Sequence, residues 1–462
     1  MCRPGSRSLP RVRRGDMATR TVGIDVAIRG PHVAIILDEQ GRPLGTPIRV
    51  RLSAAALDEL VTKIRAGLQA DDTVMVVLEP TGMAWFPLAR RLTQAGCTVI
   101  RVKGQRVKAL RRYLSEYAKT DVTDAQVLGR MLAFGRRGLL PLYVPAAKQQ
   151  ALNCLTKQRA RYQDAISSIR RRLLDLIRWA QPTLEPVLPS IGTSVSLAVL
   201  EHYFNPAQLQ ALGAHRLTEF IGRHVGGNHP AHGPFVEELA RGLLAAAADA
   251  VALFGADGVD FELLQLEVRQ EIQLLRHHRE LLVELDRAIE QLYRELHPVE
   301  ALRTLPGIGD TLGPALLGVL HTASRFGAQR RLRGFCGLFP RRQESGGVAH
   351  PGQPITQDGN NRIKRNLMLA ADVARTVDPE LAAVYYRCMV EKGHHHRQAL
   401  CAVATRLVNR IHAVLRDGRP YELRDLDGHP ITVSAAKQLI QTHLRVPDVI
   451  RRTRKKAPVA AA

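Results

Sequence analysis

Aromatic residues are scarce in this chain: phenylalanine, tyrosine and tryptophan together make up 5% of it. That argues against domains that hold single-stranded nucleic acid by stacking bases on exposed rings. Cysteine is scarcer still. Cys2, Cys97, Cys154, Cys336, Cys388 and Cys401 form no C-x-x-C pair and no zinc-finger spacing, so they read as scattered thiols of a reducing cytoplasm rather than as zinc ligands. No run approaches the roughly 18 apolar residues that a membrane span requires, so no membrane partner is expected. The opening MCRPGSRSLPRVRRGD is basic but lacks the apolar stretch of a secretory signal. Residues 1–16 read as a disordered extension, with Met17 as an alternative start.

Against these absences stands an excess of positive charge. Lys and Arg number 66 against 43 Asp and Glu, which leaves +23. Such a charge repels itself in isolation and attracts phosphate polyanions. A hydrophobic fraction of 45% excludes general disorder, and 462 residues allow roughly three domains at ~100–200 residues each. The bounded expectation is a basic, multidomain nucleic-acid protein.

Residues 17–145 carry an α/β pattern. RTVGIDVA, HVAIILD and TPIRVRL are β-rich runs parted by Gly and Pro turns, which predicts a meander. A helix capped by Ser53, the buried strand TVMVVLE, a helix ending at Gly96 and the strand CTVIRV follow. After a basic connector, RVKGQRVKALRRY, a helix is expected from about Asp121 to Phe134. The order βββαβαβα is that of an RNase H-like (RuvC-like) fold.

Residues 146–300 read as helical. A long basic helix stops at Pro182, Ala/Leu-rich short helices occupy 183–258, and Phe261, Val268, Leu275, Leu282, Ile289 and Leu296 recur at intervals of seven. Leu264, Leu285 and Leu292 take the companion position, interrupted by Glu271 and His278. Such a seam packs on another helix: either the 146–180 helix of the same chain or a second copy, in a dimer or tetramer. Residues 301–425 form a mostly helical C-terminal domain opened by LPGIGDTLGPALLGVL, a helix-hairpin-helix signature. There Gly307 and Gly309 allow backbone N–H groups to meet a DNA phosphate, although such glycines also serve packing. Residues 426–462 read as a mobile basic tail.

Four carboxylates stand out. Asp25 lies inside the first strand, where an ionised side chain is costly unless it faces a site or a cation. Glu79 ends the fourth strand, and Asp121 and Asp124 share one face of a helix start. In an RNase H-like sheet the first and fourth strands are neighbours and the last helix leans over them. The four acids would then form one cluster suited to Mg²⁺ or Mn²⁺ and to two-metal phosphoryl transfer. Taken singly, Asp121 is equally a first-turn acid beside the cap Thr120, and Glu79 a solvated strand end.

GIDVA, LEPTG and KTDVTDAQ, followed by LRTLPGIGDTLGPALL, FCGLFPRRQESGG and QDGNNRIKRNLMLAA, resemble the DEDD-type insertion-sequence transposases, the "one-ten" family, over roughly residues 20–425. The resemblance implies a DNA recombinase of the prokaryotic cytoplasm, working at the nucleoid. It also implies a structured non-coding guide (bridge) RNA that pairs with donor and target DNA. The family's serine nucleophile maps onto Ser345 of QESGG, in a Gly-flanked loop among arginines suited to holding a phosphate. His350 and Pro351 depart from the basic loop expected there.

Nucleic-acid contacts are expected from Arg106, Lys108, Arg111 and Arg112, from Arg170, Arg171 and Arg172, from Arg341 and Arg342, and from Arg362, Lys364 and Arg365. His394, His395 and His396 read as an exposed loop, since three adjacent residues cannot all face one ion. Trp85 and Trp179 read as packing residues. Three other readings stay open. One is a RuvC-like junction resolvase or nuclease using water, without Ser345 or RNA. Another is an actin-like or sugar-kinase ATPase, against which Ala27-Ile28 replace the expected phosphate-gripping turn. The last is a non-catalytic DNA-binding protein, which leaves Asp25 unexplained.

Overall fold

The computed structural model describes residues 20–69, 72–114, 120–135, 139–225, 232–255, 258–339, 344–345, 347–349, 353–356 and 359–453. The chain divides into two units, residues 1–146 and 147–462.

In the first unit the β-rich runs become β1 (Arg20–Asp25), β2 (His32–Leu37) and β3 (Ile48–Val50). Ser53 caps α1 (Ala54–Arg65), its hydroxyl accepting the Ala56 N–H at 3.3 Å. Then come β4 (Val74–Leu78), α2 (Trp85–Gln94) and β5 (Thr98–Arg101). The sheet order is β3-β2-β1-β4-β5, antiparallel through the first three strands and parallel from β1 to β4 to β5. This small mixed sheet is consistent with an RNase H-like domain. Every residue of β4 is buried, as a strand covered on both faces requires.

Two expectations change here. The basic stretch after β5 is a helix, α3 (Gly104–Tyr113), rather than a connector. Val107, Leu110 and Leu114 recur at helical spacing and pack on the sheet, which outweighs the run of cations between them. The last helix, α4 (Asp121–Arg130), stops four residues short of Phe134.

One face of the sheet, through Val22, Ile24, Val76 and Leu78, packs on Leu57 and Leu60 of α1 and Leu88 and Leu92 of α2. The opposite face, through Met75 and Val77, packs on Val107 of α3 and Val127 and Leu128 of α4. Burial of each such side chain contributes about 1.5–3 kcal/mol relative to exposure. At Gly23 no side chain intervenes between β1 and α4: a β-carbon there would collide with the Ala125 carbonyl and the Gly129 N–H. Gly129 in turn lies against Leu37.

The second unit is helical. Its elements are α5 (Ala147–Ala180), α6 (Ser194–Tyr203), α7 (Pro206–His224, bent at Gly213), α8 (His232–Phe254) and α9 (Phe261–Leu296). After a 3-10 turn at Ala301–Thr304 come α10 (Leu312–Leu320), α11 (Gln329–Cys336), the short hairpin β6 (Glu344–Ser345) and β7 (Val348–Ala349), and α12 (Asn361–Ala374). The last are α13 (Pro379–Tyr386), α14 (His396–Asp417), α15 (Val433–His443) and α16 (Asp448–Thr453).

The heptad seam of α9 is taken by α5 of the same chain. Leu264, Val268, Leu275, Leu282 and Ile289 are buried, as are Leu152, Ile166, Ile169, Leu173 and Ile177 of α5. Ion pairs join Lys148 to Glu295, Arg159 to Asp286 and Arg172 to Glu271, so the two helices run antiparallel. Both interruptions of the seam have partners on α5. Glu271 receives a bidentate bond from Arg172 at 2.7 Å, and His278 stands edge-on to Tyr162 at 5.5 Å. The seam therefore does not by itself call for a second copy.

Two cores lie along this pair. One joins the C-terminal half of α5 and the N-terminal half of α9 to α6–α8. The other joins Leu152, Ile289 and Tyr293 to the helices beyond residue 300. Residues 426–453, expected as a mobile tail, instead carry α15 and α16. Just before them, the Tyr421 hydroxyl donates to the buried Asp378 carboxylate at 2.7 Å. Among the described residues no helix is long and apolar enough to cross a membrane.

Candidate active site

β1 and β4 run parallel with Ile24 beside Leu78. Asp25 and Glu79 are the next residues, so they sit at the carboxyl ends of strands about 4.8 Å apart. Alternation along each strand puts both on the face that carries α4, because Gly23 and Val77, two residues earlier on each, meet that helix. Gly129 rests on Leu37, the register partner of Thr21, so the first turn of α4 lies toward the Asp25 end of β1. That first turn holds Asp121 and Asp124. Its geometry is set by Thr120, which accepts the Thr123 N–H at 3.1 Å.

Asp121 is exposed, whereas the Asp124 side chain is 13% exposed. The Arg111 guanidinium of α3 approaches Asp124 Oδ1 to 2.8 Å. The alignment is not that of a hydrogen bond, for Oδ1 and Arg111 Nε are both buried without a hydrogen-bond partner. A nearly buried carboxylate met by one guanidinium, on the sheet face where the central strands β1 and β4 end in other acids, suits a hard divalent cation. The Glu79 carboxylate reaches Gly104, into the space that a β-carbon there would take. Its charge thus faces the first turn of α3, where the helix dipole favours an anion. As the side chains stand, no three His, Cys, Asp or Glu among the described residues are placed to hold a metal ion together. The topology places Asp25 and Glu79 at neighbouring strand ends and Asp121 and Asp124 in the first turn of the helix on that face, while Glu79 and Asp124 turn to separate partners.

In the second unit Ser345 ends β6 and pairs with Val348 across a two-residue turn, where Gly347 takes φ +81°. Such a hairpin turn needs a residue with positive φ, which glycine adopts freely. Arg341, Arg342, His350 and Pro351 lie outside the described residues.

Residues 22–182 match the model of a DEDD-type transposase family, IS110, and residues 299–386 match one described as "Transposase IS116/IS110/IS902 family". Together the matches cover more than half of the chain. The chain belongs to this transposase family, whose members are DNA-cleaving and rejoining enzymes. The chain is 27% identical over 401 residues to the IS116 insertion-element protein of Streptomyces clavuligerus, covering 86% of this chain and 95% of that protein. It is 27% identical over 376 residues to the IS110 insertion-element protein of Streptomyces coelicolor, covering 80% and 87%. Similarity to a pilin gene-inverting protein of Moraxella bovis is 29% over 154 residues, covering 32% of this chain and 48% of that protein.

The remaining basic residues of this transposase chain fall into two groups. Arg106, Lys108 and Arg112 are exposed on α3, and Arg365 is 73% exposed on α12, 3.8 Å from Asp164 of α5. Others are engaged within the protein, Arg170 and Arg172 while still exposed. Arg111 faces Asp124, and Arg172 is held by Glu271, which raises its pKa. Arg170 crowds Gly192, and the Lys364 ammonium donates to the Thr356 carbonyl at 2.7 Å. Burial lowers the pKa of Arg362, whose Nη1 is buried without a partner.

Gly307 is explained by packing: it takes φ +80°, and a β-carbon there would strike the Ala370 carbonyl of α12. The helix before it is a single 3-10 turn, so the expected pair of α-helices is reduced to one, α10. Gly309 is exposed with open space around it.

The histidine run is half-buried rather than an exposed loop. His395 caps α14, and His396 Nδ1 lies 2.8 Å from the Tyr385 hydroxyl. Trp85 packs on the sheet core beneath Arg101, whereas Trp179 is 58% exposed and is not a packing residue.

Sequence reasoning missed the partnership of Arg111 with Asp124, because a basic run carries no sign of which cation turns inward. It also passed over Gly23 and Gly129. A glycine inside a strand and another inside a helix both signal close backbone approach.

Proposed function

We propose that this transposase cuts and rejoins DNA through a phosphoserine intermediate, with Ser345 as nucleophile and Asp25, Glu79, Asp121 and Asp124 as the holders of Mg²⁺ or Mn²⁺. The observation that carries the metal half is the nearly buried Asp124, in the first turn of the helix that packs on the sheet face where β1 and β4 end in Asp25 and Glu79. A divalent cation there would polarise the scissile phosphate and favour the ionised hydroxyl. Ser345 Oγ would bond to phosphorus as one bridging P–O bond breaks, and the departing sugar oxygen would take up a proton. A hydroxyl from a second strand then attacks the same phosphorus, re-forms a phosphodiester and returns the serine. The number of phosphoester bonds is conserved throughout, so rejoining needs no ATP.

A structured non-coding RNA as guide, and assembly as a dimer or tetramer, belong to the same proposal. They are supported by the family membership, by the net charge of +23, and by the need to bring together two DNA partners. The test is denaturing electrophoresis of a suicide DNA substrate. Wild type should give a covalent adduct. Ser345→Ala and Asp124→Ala should not, and EDTA should abolish it. An adduct formed by Ser345→Ala would refute the serine role, and full cleavage in EDTA would refute the metal role. Water-dependent cleavage without any adduct would favour the resolvase reading.

A further inference from the structure

The stretch that carries Ser345 is closed at its base by backbone bonds and by one cation. Ser345 stands in a hairpin whose residue pairs are Glu344 with Ala349 and Ser345 with Val348. Two strands of this length have little stability of their own in water. They cannot by themselves hold a hydroxyl to within the about half an ångström that a reacting group needs. The direction of the serine must come from where the chain enters and leaves.

Entry and exit meet twice. The Thr356 N–H donates to the Phe339 carbonyl at 3.0 Å, and the Asn360 N–H donates to the Phe335 carbonyl at 3.1 Å. Between these bonds Gly359 passes Gly337 so closely that a β-carbon at 359 would lie 3.0 Å from the Gly337 Cα and amide nitrogen. Gly359 also takes φ +109°, and both demands select glycine. Asn360 then caps α12, its Oδ1 accepting the Arg362 and Ile363 N–H groups at 3.1 Å. The exit from the serine stretch thus leads directly into the first turn of α12.

Lys364 lies in that turn. Its ammonium reaches back to donate to the Thr356 carbonyl at 2.7 Å, with the Asn361 side-chain oxygen at 3.4 Å. Thr356 is buried, its amide bound to Phe339 and its carbonyl to Lys364, so one residue is gripped from both sides. The charge also stands near α14: burial pushes the Cys401 thiol up, and the Lys364 ammonium opposes that shift. From the same helix Thr405 places its hydroxyl 3.3 Å from the Leu338 carbonyl, next to the entry.

We propose that Lys364 is a positioning residue for Ser345: it locks the exit of the serine stretch to α12 and so fixes where the hydroxyl meets phosphorus. The inference rests on the reading of Ser345 as nucleophile. It reassigns Lys364, whose place in a basic run pointed to a phosphate contact, to a bond inside the protein. Lys364 acts through Thr356 and Phe339, and its effect falls on the rate of attack rather than on the binding of DNA.

The experiment compares the full chain carrying Lys364→Met, which keeps the length of the side chain without a donor, with Lys364→Arg, which keeps a donor and the charge. Adduct formation on the suicide DNA substrate is timed in a single turnover at saturating DNA. Affinity is read by fluorescence anisotropy between about 50 and 200 mM salt. Lys364→Met should slow the adduct by about 10- to 100-fold with affinity and salt slope unchanged, and Lys364→Arg should recover most of the rate. A wild-type adduct rate in Lys364→Met would overturn the proposal. So would a salt slope shallower by about 1 with the rate at saturating DNA unchanged, the signature of a phosphate contact.

Should Lys364→Met fail to fold, the wild-type protein answers alone. Acetylation by an N-hydroxysuccinimide ester, read by mass spectrometry, should find Lys364 slow in the free protein and no slower with DNA bound, while the exposed Lys108 labels readily. Labelling of Lys364 as fast as Lys108, shielded only when DNA is added, would overturn the inference. The two readings fail separately. An adduct that persists in Ser345→Ala sinks the serine assignment whatever Lys364 does. An adduct lost in Ser345→Ala but undiminished in Lys364→Met sinks only the positioning role.

Discussion

The Arg111 guanidinium lies 2.8 Å from Asp124 Oδ1, joining α3 to the first turn of α4, and both side chains are largely withdrawn from solvent. Arg111 supplies in the free protein the positive charge that a bound cation would otherwise bring. Arg111→Gln leaves the Asp124 carboxylate uncompensated, which should cost about 1–3 kcal/mol. Mg²⁺ or Mn²⁺ should restore part of that loss. Melting temperatures with and without the metal should therefore show a larger metal-induced rise in Arg111→Gln than in wild type. Equal rises would mean that Arg111 and the metal do not compete for this oxygen.

Gly23→Ala tests whether the close approach of β1 and α4 positions the acids. The new methyl would meet the Ala125 carbonyl and the Gly129 amide, both backbone groups that cannot rotate aside. Overpacking of this kind costs about 1–3 kcal/mol. Urea unfolding should show that loss, with strand cleavage falling further than stability because Asp124 is pushed away from Asp25. A Gly23→Ala protein with wild-type cleavage would separate the helix contact from the chemistry.

The three consecutive arginines of α5 should not behave alike. Among the described residues Arg171 bonds within its own helix, to the Ser167 carbonyl and the Ser168 hydroxyl, and it is exposed. Arg172 is held bidentately by Glu271. Arg171→Ala should reduce the salt slope of nucleic-acid binding by about 1 at unchanged stability. Arg172→Ala should lower stability by about 0.5–1 kcal/mol and leave the slope alone. The reverse pattern would show that the α5–α9 ion pair opens on binding.

Burial, reinforced by the Arg325 charge, pushes the pKa of His321 down to about 4. The unfolded chain therefore binds a proton between about pH 6.5 and 4 that the folded chain refuses. This contribution to stability is complete above about pH 6.5 and is lost as the pH falls toward 4, by about 3 kcal/mol at most. His321 ends α10 at φ +66° and ψ −74°, the strained γ-turn conformation, with the Thr322 N–H donating to the Leu320 carbonyl at 2.9 Å, so the pH slope rather than the absolute stability is the reading. His321→Asn should flatten the stability profile across that window in denaturant titrations. An unaltered slope would place the acid sensitivity elsewhere.

Much of the first unit was legible because its signals are local. β4 is a short apolar run, Ser53 and Thr120 precede their helices as caps, and the order of elements fixed β1 and β4 as neighbours, which put Asp25 beside Glu79. What was not legible depended on partners distant in sequence. Nothing in RVKGQRVKALRRY says that Arg111 turns toward Asp124, while Arg106 and Arg112 face solvent. Gly307 read as an opening for phosphate because the Ala370 carbonyl that fills that space lies far along the chain. The α9 seam pointed equally to α5 or to a second copy, since a heptad specifies an apolar partner and not its origin. Residues 426–453 read as a tail in the sequence because their few apolar positions, such as the buried Ala436, make too weak a stripe to betray α15.

The antiparallel pairing of α5 with α9 turns the chain between Ala180 and Phe261 into a detour that leaves and re-enters at the same end of the pair. Leu152 and Ile289, at the other end, meet in a core that contains no residue of that excursion. Length can therefore be added or removed there without shifting the register that holds the C-terminal helices, and the entropic cost of closing the longer loop grows only logarithmically. The two family matches stop at residue 182 and resume at 299, on either side of this stretch. It is the part of the architecture with the most freedom to diverge while the two ends stay in step.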